Sequence, residues 1–318
     1  MNLVSVIVPT YKRSMRLRSA LKSIFEQTYK NIEVIVVDDN GLGSKYDEEV
    51  NSVVNEFSTI FDSFIFIKNK TNMGGGGARN EGIKVANGHY ITFLDDDDEF
   101  SPNKVELQVG KFKESTFSNL AFVYCQMTLF DDVSGAKLSQ TNNYYSGNEI
   151  PFEENMKGCI AGTPTILASK AALTSVNGFR ELKSGQDWAL ILDLLVAGYE
   201  IDFLPESLVN VFVSSRERIS NSSGKVESLE VELKAIKDEV IKGLSNRKLI
   251  RKIHYYHYLQ LCNSLKFKNK RKALFYHFKM CSYGFKFTDT LKFYFGCLFG
   301  ERSTVFIRSL ISKGINPK

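Results

Sequence analysis

Sulfur chemistry and metal-ligand spacing are what this chain has least of. Of its 318 residues, five are cysteine (Cys125, Cys159, Cys262, Cys281, Cys297) and four are histidine. The cysteines are scattered without a CxxC pair and their number is odd, which argues against a disulfide framework or a zinc site and points to a reducing cytosol. His254, His257 and His277 do not form a ligand set. No run approaches the roughly eighteen apolar residues that a membrane-spanning helix needs. The N-terminal MNLVSVIVPTYKR lacks the basic region, long apolar stretch and small-residue cleavage site of a signal peptide. A cytoplasmic protein is therefore expected.

What is present is ordinary in amount and uneven in placement. An apolar content of 43% suits a globular protein with a sizeable core, built as one large domain or two smaller ones. The net charge of +5 conceals a division: from Gly243 to Lys318 there are sixteen Lys or Arg and only two acids, Asp289 and Glu301. That segment carries +14, so the chain before it carries −9.

The first part alternates strands and helices. LVSVIVPT, IEVIVVDDN, FIFIKN and HYITFL read as apolar, β-branched strands. Between them lie helical patterns: SMRLRSALKSIFEQT with Leu17, Leu21, Ile24 and Phe25 behind a Ser14 cap, a polar helix near Asp47 to Phe57, and one from about Gly77 to Ala86. Such alternation implies parallel pairing with helices on both faces of the sheet. Ligands in these sheets bind beyond the carboxyl ends of the strands, where Pro9, Asp38, Asp39 and the octet FLDDDDEF all fall. Four consecutive aspartates raise one another's pKa unless a counter-charge arrives; they either face water or receive a divalent cation. The stretch NMGGGGARNEG fits neither GxGxxG nor a P-loop. It is either a plain turn before a helix or a place of close backbone approach where Arg79 meets phosphate oxygens.

The order VSVIVPTYKR, IEVIVVDDN, NMGGGGARNEGIKVANGHYITFLDDDDEF, SGQDWALILDLLVAGYEIDFLPE resembles family 2 glycosyltransferases of the GT-A fold, from about Leu3 to Val213. The resemblance implies a Rossmann-like α/β fold with a mostly parallel central sheet and flanking helices, and an inverting transfer from a nucleotide sugar. It places Pro9, Thr10, Tyr11 and Asp39 at the nucleobase and ribose. By itself the Asp38-Asp39 pair is equally a helix cap or a strand terminus. The family's DxD element falls on Asp95 to Asp97, with Asp97 the ligand of Mg²⁺ or Mn²⁺ and Asp95 and Asp96 at the ribose or metal-bound water. Asp98 is expected to face a helix opened by Ser101-Pro102. Hard oxygen ligands suit these ions, which need only one or two protein carboxylates when phosphate and water complete the shell. Asp187 matches the family's general base, although a first-turn helix acid has the same appearance. Trp188 stacks on an acceptor sugar or fills core. The family's usual acid before the base is Gln186 here, Asn40-Gly41 stands where Gly-Ser is common, and the absent QxxRW argues for single additions over polymerisation. AGTPTILASKAALTSVNGFRE is similar to the acceptor-side segment, with Gly162, Thr163 and Pro164 near the sugar.

Beyond residues 1–220, taken as the transferase domain, residues 221–318 read as a helical, basic and aromatic region. The long helical stretches are VESLEVELKAIKDEVIKGL and the run from Arg247 to Phe287. Fifteen aromatics among the last seventy-six residues, beside KFKNKRK, read either as a peripheral contact with an anionic membrane or as a subdomain packing its rings on the catalytic core. No nucleic-acid motif occurs. Arg216 and Arg218 either close over the diphosphate or belong to a solvated linker. The expected activity is transfer of one sugar from a UDP-linked donor to a hydroxyl of a glycan or lipid-linked glycan in cell-surface polysaccharide synthesis. The alternatives are a polyprenyl-phosphate sugar synthase or an inactive nucleotide-sugar-binding module.

Overall fold

A computed structural model describes residues 2–213, 223–294 and 297. Arg216, Arg218 and everything past residue 297 lie outside the described residues. The chain divides into two compact units, Met1–Asn155 with Cys159–Arg218, and Met156–Gly158 with Ile219–Lys318.

The first unit begins with the expected alternation: β1 (Val4–Thr10), α1 (Ser14–Phe25), β2 (Ile32–Asp38), α2 (Asp47–Ser58), β3 (Phe64–Lys68), α3 (Gly74–Val85) and β4 (Tyr90–Phe93). It continues through β5 (Asp98–Phe100), α4 (Lys104–Glu114), β6 (Leu120–Asp131), β7 (Lys137–Gln140), α5 (Glu149–Lys157), β8 (Ile166–Ser169), α6 (Lys170–Ser175), α7 (Gln186–Val196) and β9 (Glu200–Val213). The strands form one nine-stranded sheet, ordered β3-β2-β1-β4-β8-β6-β9-β5 with β7 on β6. Pairing is parallel from β3 to β4 and between β6 and β9; β8 joins the two halves antiparallel to both β4 and β6.

β1 and β2 are apolar without interruption because both their faces are covered. Val4, Val6 and Val8 join Leu17, Leu21 and Ile24 of α1 in one core layer, while Ile7, Ile35 and Val37 face the other with Ala78 of α3 and Leu190 of α7. The α1 stripe recurs at three- and four-residue steps, and each such Leu or Ile contributes about 1.5–3 kcal/mol as an upper bound. α2 carries Asp47, Glu48 and Glu49 in its first turn, where the helix dipole favours acids.

Three expected boundaries change. Ser14 is the first residue of α1, not its cap; its hydroxyl donates to Glu49. α3 starts at Gly74, so the glycine run is inside the helix. α4 starts at Lys104, where Lys104 N–H donates to the Ser101 carbonyl at 3.0 Å, and Ser101-Pro102 forms the turn before it.

The second unit contains α8 (Ser223–Glu227), a π-helical segment (Ser228–Glu232), α9 (Leu233–Lys242), α10 (Arg247–Leu265) and α11 (Lys270–Tyr283). The expected continuous run from Arg247 is therefore broken at residues 266–269. There Asn269 caps α11 by accepting from Lys272 N, as Asn246 caps α10 by accepting from Leu249 N. Cys262, Leu265, Ala273 and Phe293 pack together, and Tyr258 stacks with Tyr276 and Tyr283.

Lys104 is fully buried; its ammonium donates to Thr92 Oγ1 at 2.8 Å and sits 4.0 Å from the Phe100 ring centroid. Burial lowers its pKa from 10.5 to about 8. The folded state then binds fewer protons than the unfolded state between those two values, so stability rises with pH across that window. Lys104→Met removes the rise: the variant is expected to exceed wild type by up to about 3 kcal/mol below pH 8, the gap shrinking toward pH 10.5, as read by urea melts.

Candidate active site

The loops at the carboxyl ends of β1, β2, β3 and β4 are tied to one another. β4 ends at Phe93, so β1 pairs only with β2 beyond Ile7, and Pro9, which has no N–H to donate, sits where the two strands part. Thr10 Oγ1 and Tyr11 N–H both donate to Asp96 Oδ2, at 2.8 and 3.2 Å. Asp39 N–H donates to the Thr10 carbonyl at 2.9 Å, and Lys12 N–H donates to Asn40 Oδ1 at 2.8 Å. Lys12 holds a left-handed φ of 61°, uncommon for a residue with a Cβ. Tyr11 is 42% exposed at the rim.

Asp39 is buried and largely occupied. Oδ1 accepts from Asn69 Nδ2 at 2.7 Å and from Met73 N at 2.8 Å, and Oδ2 accepts from Asn72 Nδ2 at 3.0 Å. These bonds fix the loop from β3 to α3. Asp38, equally buried, keeps Oδ2 without a partner while Oδ1 accepts from Asn40. Of the two acids, Asp38 thus has the vacant acceptor.

The aspartate run is crowded and mostly dry. Asp96 is pushed up to about 7, first by burial and then by Asp97, despite its two donors and Arg13. Burial and Asp95 likewise raise Asp97. Arg13 pairs with Asp97 and approaches Asp96 Oδ1 at 3.8 Å, and buried Arg79 pairs with Asp95. Asp98 does not face α4: it opens β5 opposite Val211 of β9, and its Oδ1 accepts from Phe212 N at 3.3 Å. Short antiparallel pairing, which the aspartate repeat disguised, accounts for that difference.

The glycines bring α3 against the start of α7. A Cβ on Gly75 would lie 3.0 Å from Arg79 Nη1 and 3.5 Å from Gln186 Oε1, and one on Gly76 would lie 3.0 Å from Gln186 Cδ. The run is therefore a helical surface kept bare for Gln186, whose Nε2 donates to the Leu182 carbonyl at 2.9 Å. Gly185 precedes α7 at φ 81°, where a side chain would be strained. Asp187 follows in the first turn, partly buried, with Oδ1 accepting from Trp188 N at 2.8 Å. Loss of water raises its pKa; the Trp188 amide, the Arg79 charge and the Cys159 thiol oppose that rise. Trp188 is core: it is 4% exposed and its Nε1–H donates to the Asn155 carbonyl at 2.6 Å. Thr163 and Pro164 are buried in a short 3₁₀ turn leading into β8.

Arg79 thus pairs with Asp95, and its charge is also felt at Asp187. The residues that sequence reasoning missed are Arg13, Asn69, Asn72 and Cys159. KR after VPTY was a visible signal for Arg13, whereas nothing in the spacing marked the others.

A divalent cation fits this donor set. The acids are hard oxygen ligands held in a desolvated place where their charge is undercompensated. Among the described residues, no three His, Cys, Asp or Glu form a metal cage by themselves.

The sequence profile of Glycosyl transferase family 2 matches residues 5–182. An uncharacterized glycosyltransferase of Rickettsia bellii is 34% identical over 60% of this chain and 26% of its own length. The chain spans only about a quarter to a third of the length of the Rickettsia relatives it matches. WfgD of Escherichia coli, a UDP-Glc:alpha-D-GlcNAc-diphosphoundecaprenol beta-1,3-glucosyltransferase, is 29% identical over 70% of this chain and 79% of its own. Staphylococcus aureus TarS 1-349, solved in complex with UDP-GlcNAc, superposes with a TM-score of 0.64 at 19% identity, covering 88% of this chain and 89% of that one. At that identity the likeness speaks for the fold.

Because Arg79 is buried against a partly exposed Asp95, a double-mutant cycle of Arg79→Met and Asp95→Asn is expected to give a coupling of about 1–2 kcal/mol, with the double variant more stable than Arg79→Met alone. Additive chemical melts would remove Arg79 from the charge balance.

Proposed function

The chain belongs to glycosyltransferase family 2, and from that premise we propose that it moves one sugar from a UDP-linked donor, with inversion, to a hydroxyl of a glycan or lipid-linked glycan. The observation that carries this reading is the placement of Arg79, which pairs with Asp95 of the aspartate run and whose charge also acts on Asp187 at the start of α7. One site then holds both a receptor for a metal diphosphate and a carboxylate suited to proton transfer.

Pro9, Thr10 and Tyr11, with Asp38 and Asp39, receive the nucleoside. The vacant Oδ2 of Asp38 supports an acceptor role toward a base N–H. Asp97 is the protein ligand of Mg²⁺ or Mn²⁺, with Asp95 and Asp96 beside it, and the bound ion supplies Lewis-acid stabilisation of the departing diphosphate. Arg79 adds a fixed positive charge toward the same oxygens. Asp187 takes the proton of the acceptor hydroxyl as that oxygen bonds to the anomeric carbon and the carbon–oxygen bond to the diphosphate breaks. Desolvation raises the Asp187 carboxyl from its ordinary value, which makes it a stronger base once ionised.

The E. coli relative named for a diphosphoundecaprenol-linked acceptor supports a lipid-linked acceptor here. So does the second unit, where Phe275, Phe278, Phe285 and Phe287 are each more than half exposed among lysines. We assign that face a peripheral contact with an anionic membrane surface on the cytoplasmic side. Among the described residues no helix is long and apolar enough to cross a membrane.

Asp187→Asn is expected to lower sugar transfer by about 10²–10⁴-fold while metal-dependent UDP binding persists in calorimetry. Asp97→Asn is expected to abolish the metal dependence of UDP binding. Wild-type turnover by the first variant, or unchanged binding by the second in the presence and absence of chelator, would reject the respective role.

A further inference from the structure

The helical unit contains a cavity of about 630 Å³ with a cationic rim and an aromatic floor. Two rows on α10 supply much of it. Arg247 and Arg251 lead to Tyr255, and Lys248 and Lys252 lead to Tyr256, each step four residues along the same face. Tyr283, Gly284, Phe285 and Lys286 supply a further wall.

Arg247, Lys248, Arg251 and Lys252 are exposed and have no ion-pair partner among the described residues. The first turn of α10 contains no acid, so positive side chains stand at the positive end of the helix dipole. Like charges four residues apart also repel. The nearby acid, Asp289, is engaged by Tyr255, whose hydroxyl donates to Oδ2 at 2.8 Å.

The floor is held in place. Tyr255 and Tyr256 meet edge to face with centroids 5.4 Å apart, and Lys286 donates to the Tyr256 hydroxyl at 2.9 Å. Gly284 has extended backbone, φ 172°, so glycine is not required there by conformation. A Cβ at Gly284 would lie 3.4 Å from Tyr255 Cδ2, so the bare backbone packs on that buried ring and a larger side chain there would fill the cavity it lines.

We propose that this cavity binds the phosphate or diphosphate of a phosphorylated saccharide. Several cations without acids require a multiply charged anion, and Arg forks match phosphate oxygens. The partly exposed rings of Tyr256 and Tyr283 offer an apolar face to a sugar ring, and the volume is that of a small-molecule site. Neither Asp97 nor Asp187 lines this cavity.

The test is calorimetry on the full chain with chelator, no divalent ion and no donor, titrating inorganic pyrophosphate. One site is expected, weakened about tenfold or more by Arg251→Gln with Lys252→Gln. Gly284→Leu, which leaves the charge unchanged, should weaken it similarly, while Asp97→Asn leaves it intact. Wild-type affinity in both the charge and the Gly284 variants, or loss of binding in Asp97→Asn, overturns the proposal. Displacement of pyrophosphate by glucose 1-phosphate identifies a soluble saccharide phosphate as the source. Displacement only by vesicles carrying a polyprenyl diphosphate sugar identifies the lipid-linked form. Displacement by neither, or equally by plain phosphatidylglycerol vesicles, overturns the saccharide assignment. Because donor and metal are absent, failure here leaves the transferase reading untouched, and failed transfer leaves this site untouched.

Discussion

Repulsion among the carboxylates at the end of β4 is the constraint around which the first unit is arranged. Desolvation wins over compensation there: two hydrogen bonds and Arg13 do not prevent Asp96 from rising to about 7. The two arginines that oppose the crowding arrive from opposite sides, Arg13 from the turn after β1 and Arg79 from the second turn of α3. Each placement has a structural consequence. Arg13 requires the chain to turn sharply through the left-handed Lys12, and Arg79 requires α3 to begin early. The charge that remains unbalanced suits a cation accompanied by phosphate.

Helical glycine weakens a helix, by about 1 kcal/mol each relative to alanine, and α3 begins with four of them. The gain is distance. Gly75 and Gly76 present no side chain to Gln186, so the Gln186 side chain lies against the first turn of α3. An acid at position 186 would bring a further negative charge beside Arg79 and compete with Asp95 for it. Gln186 instead spends its amide on the Leu182 carbonyl, which leaves Arg79 to Asp95 and to the field at Asp187.

The parallel half of the sheet was legible because buried strands and amphipathic helices write their environment into residue period: β1 to β4, α1 and α2 all fall within a few residues of the expected bounds. Asp97, Asp95 and Asp187 stand out as candidates only through the order of several motifs, since an acid run or a first-turn aspartate has a bland explanation by itself. β5 was not legible. It has three residues, two of them acidic, and is a strand only because β9 lies alongside, more than a hundred residues later. The helical start at Gly74 was hidden by propensity, which tertiary packing overrode. Asn69 and Asn72 were hidden because their role is to satisfy Asp39, a pairing across about thirty residues that no local pattern records. In the second unit, the long basic helix was legible as helix, but its break at residues 266–269 depends on Asn269 acting as a cap.

The charge division gives donor and acceptor different dependences. The chain before Gly243 is net negative, so the nucleoside diphosphate of the proposed reaction would need a metal ion and Arg79 acting at short range to be held there. A phosphate-bearing acceptor brought to the same acids would compete for the ion that the donor needs. Lys and Arg side chains in the second unit can hold such a phosphate without a metal, through charge-assisted bonds that salt screens. Chelation then acts on the donor and ionic strength on the acceptor. Two anions can be present together because each has its own kind of counter-charge, and neither has to displace the other.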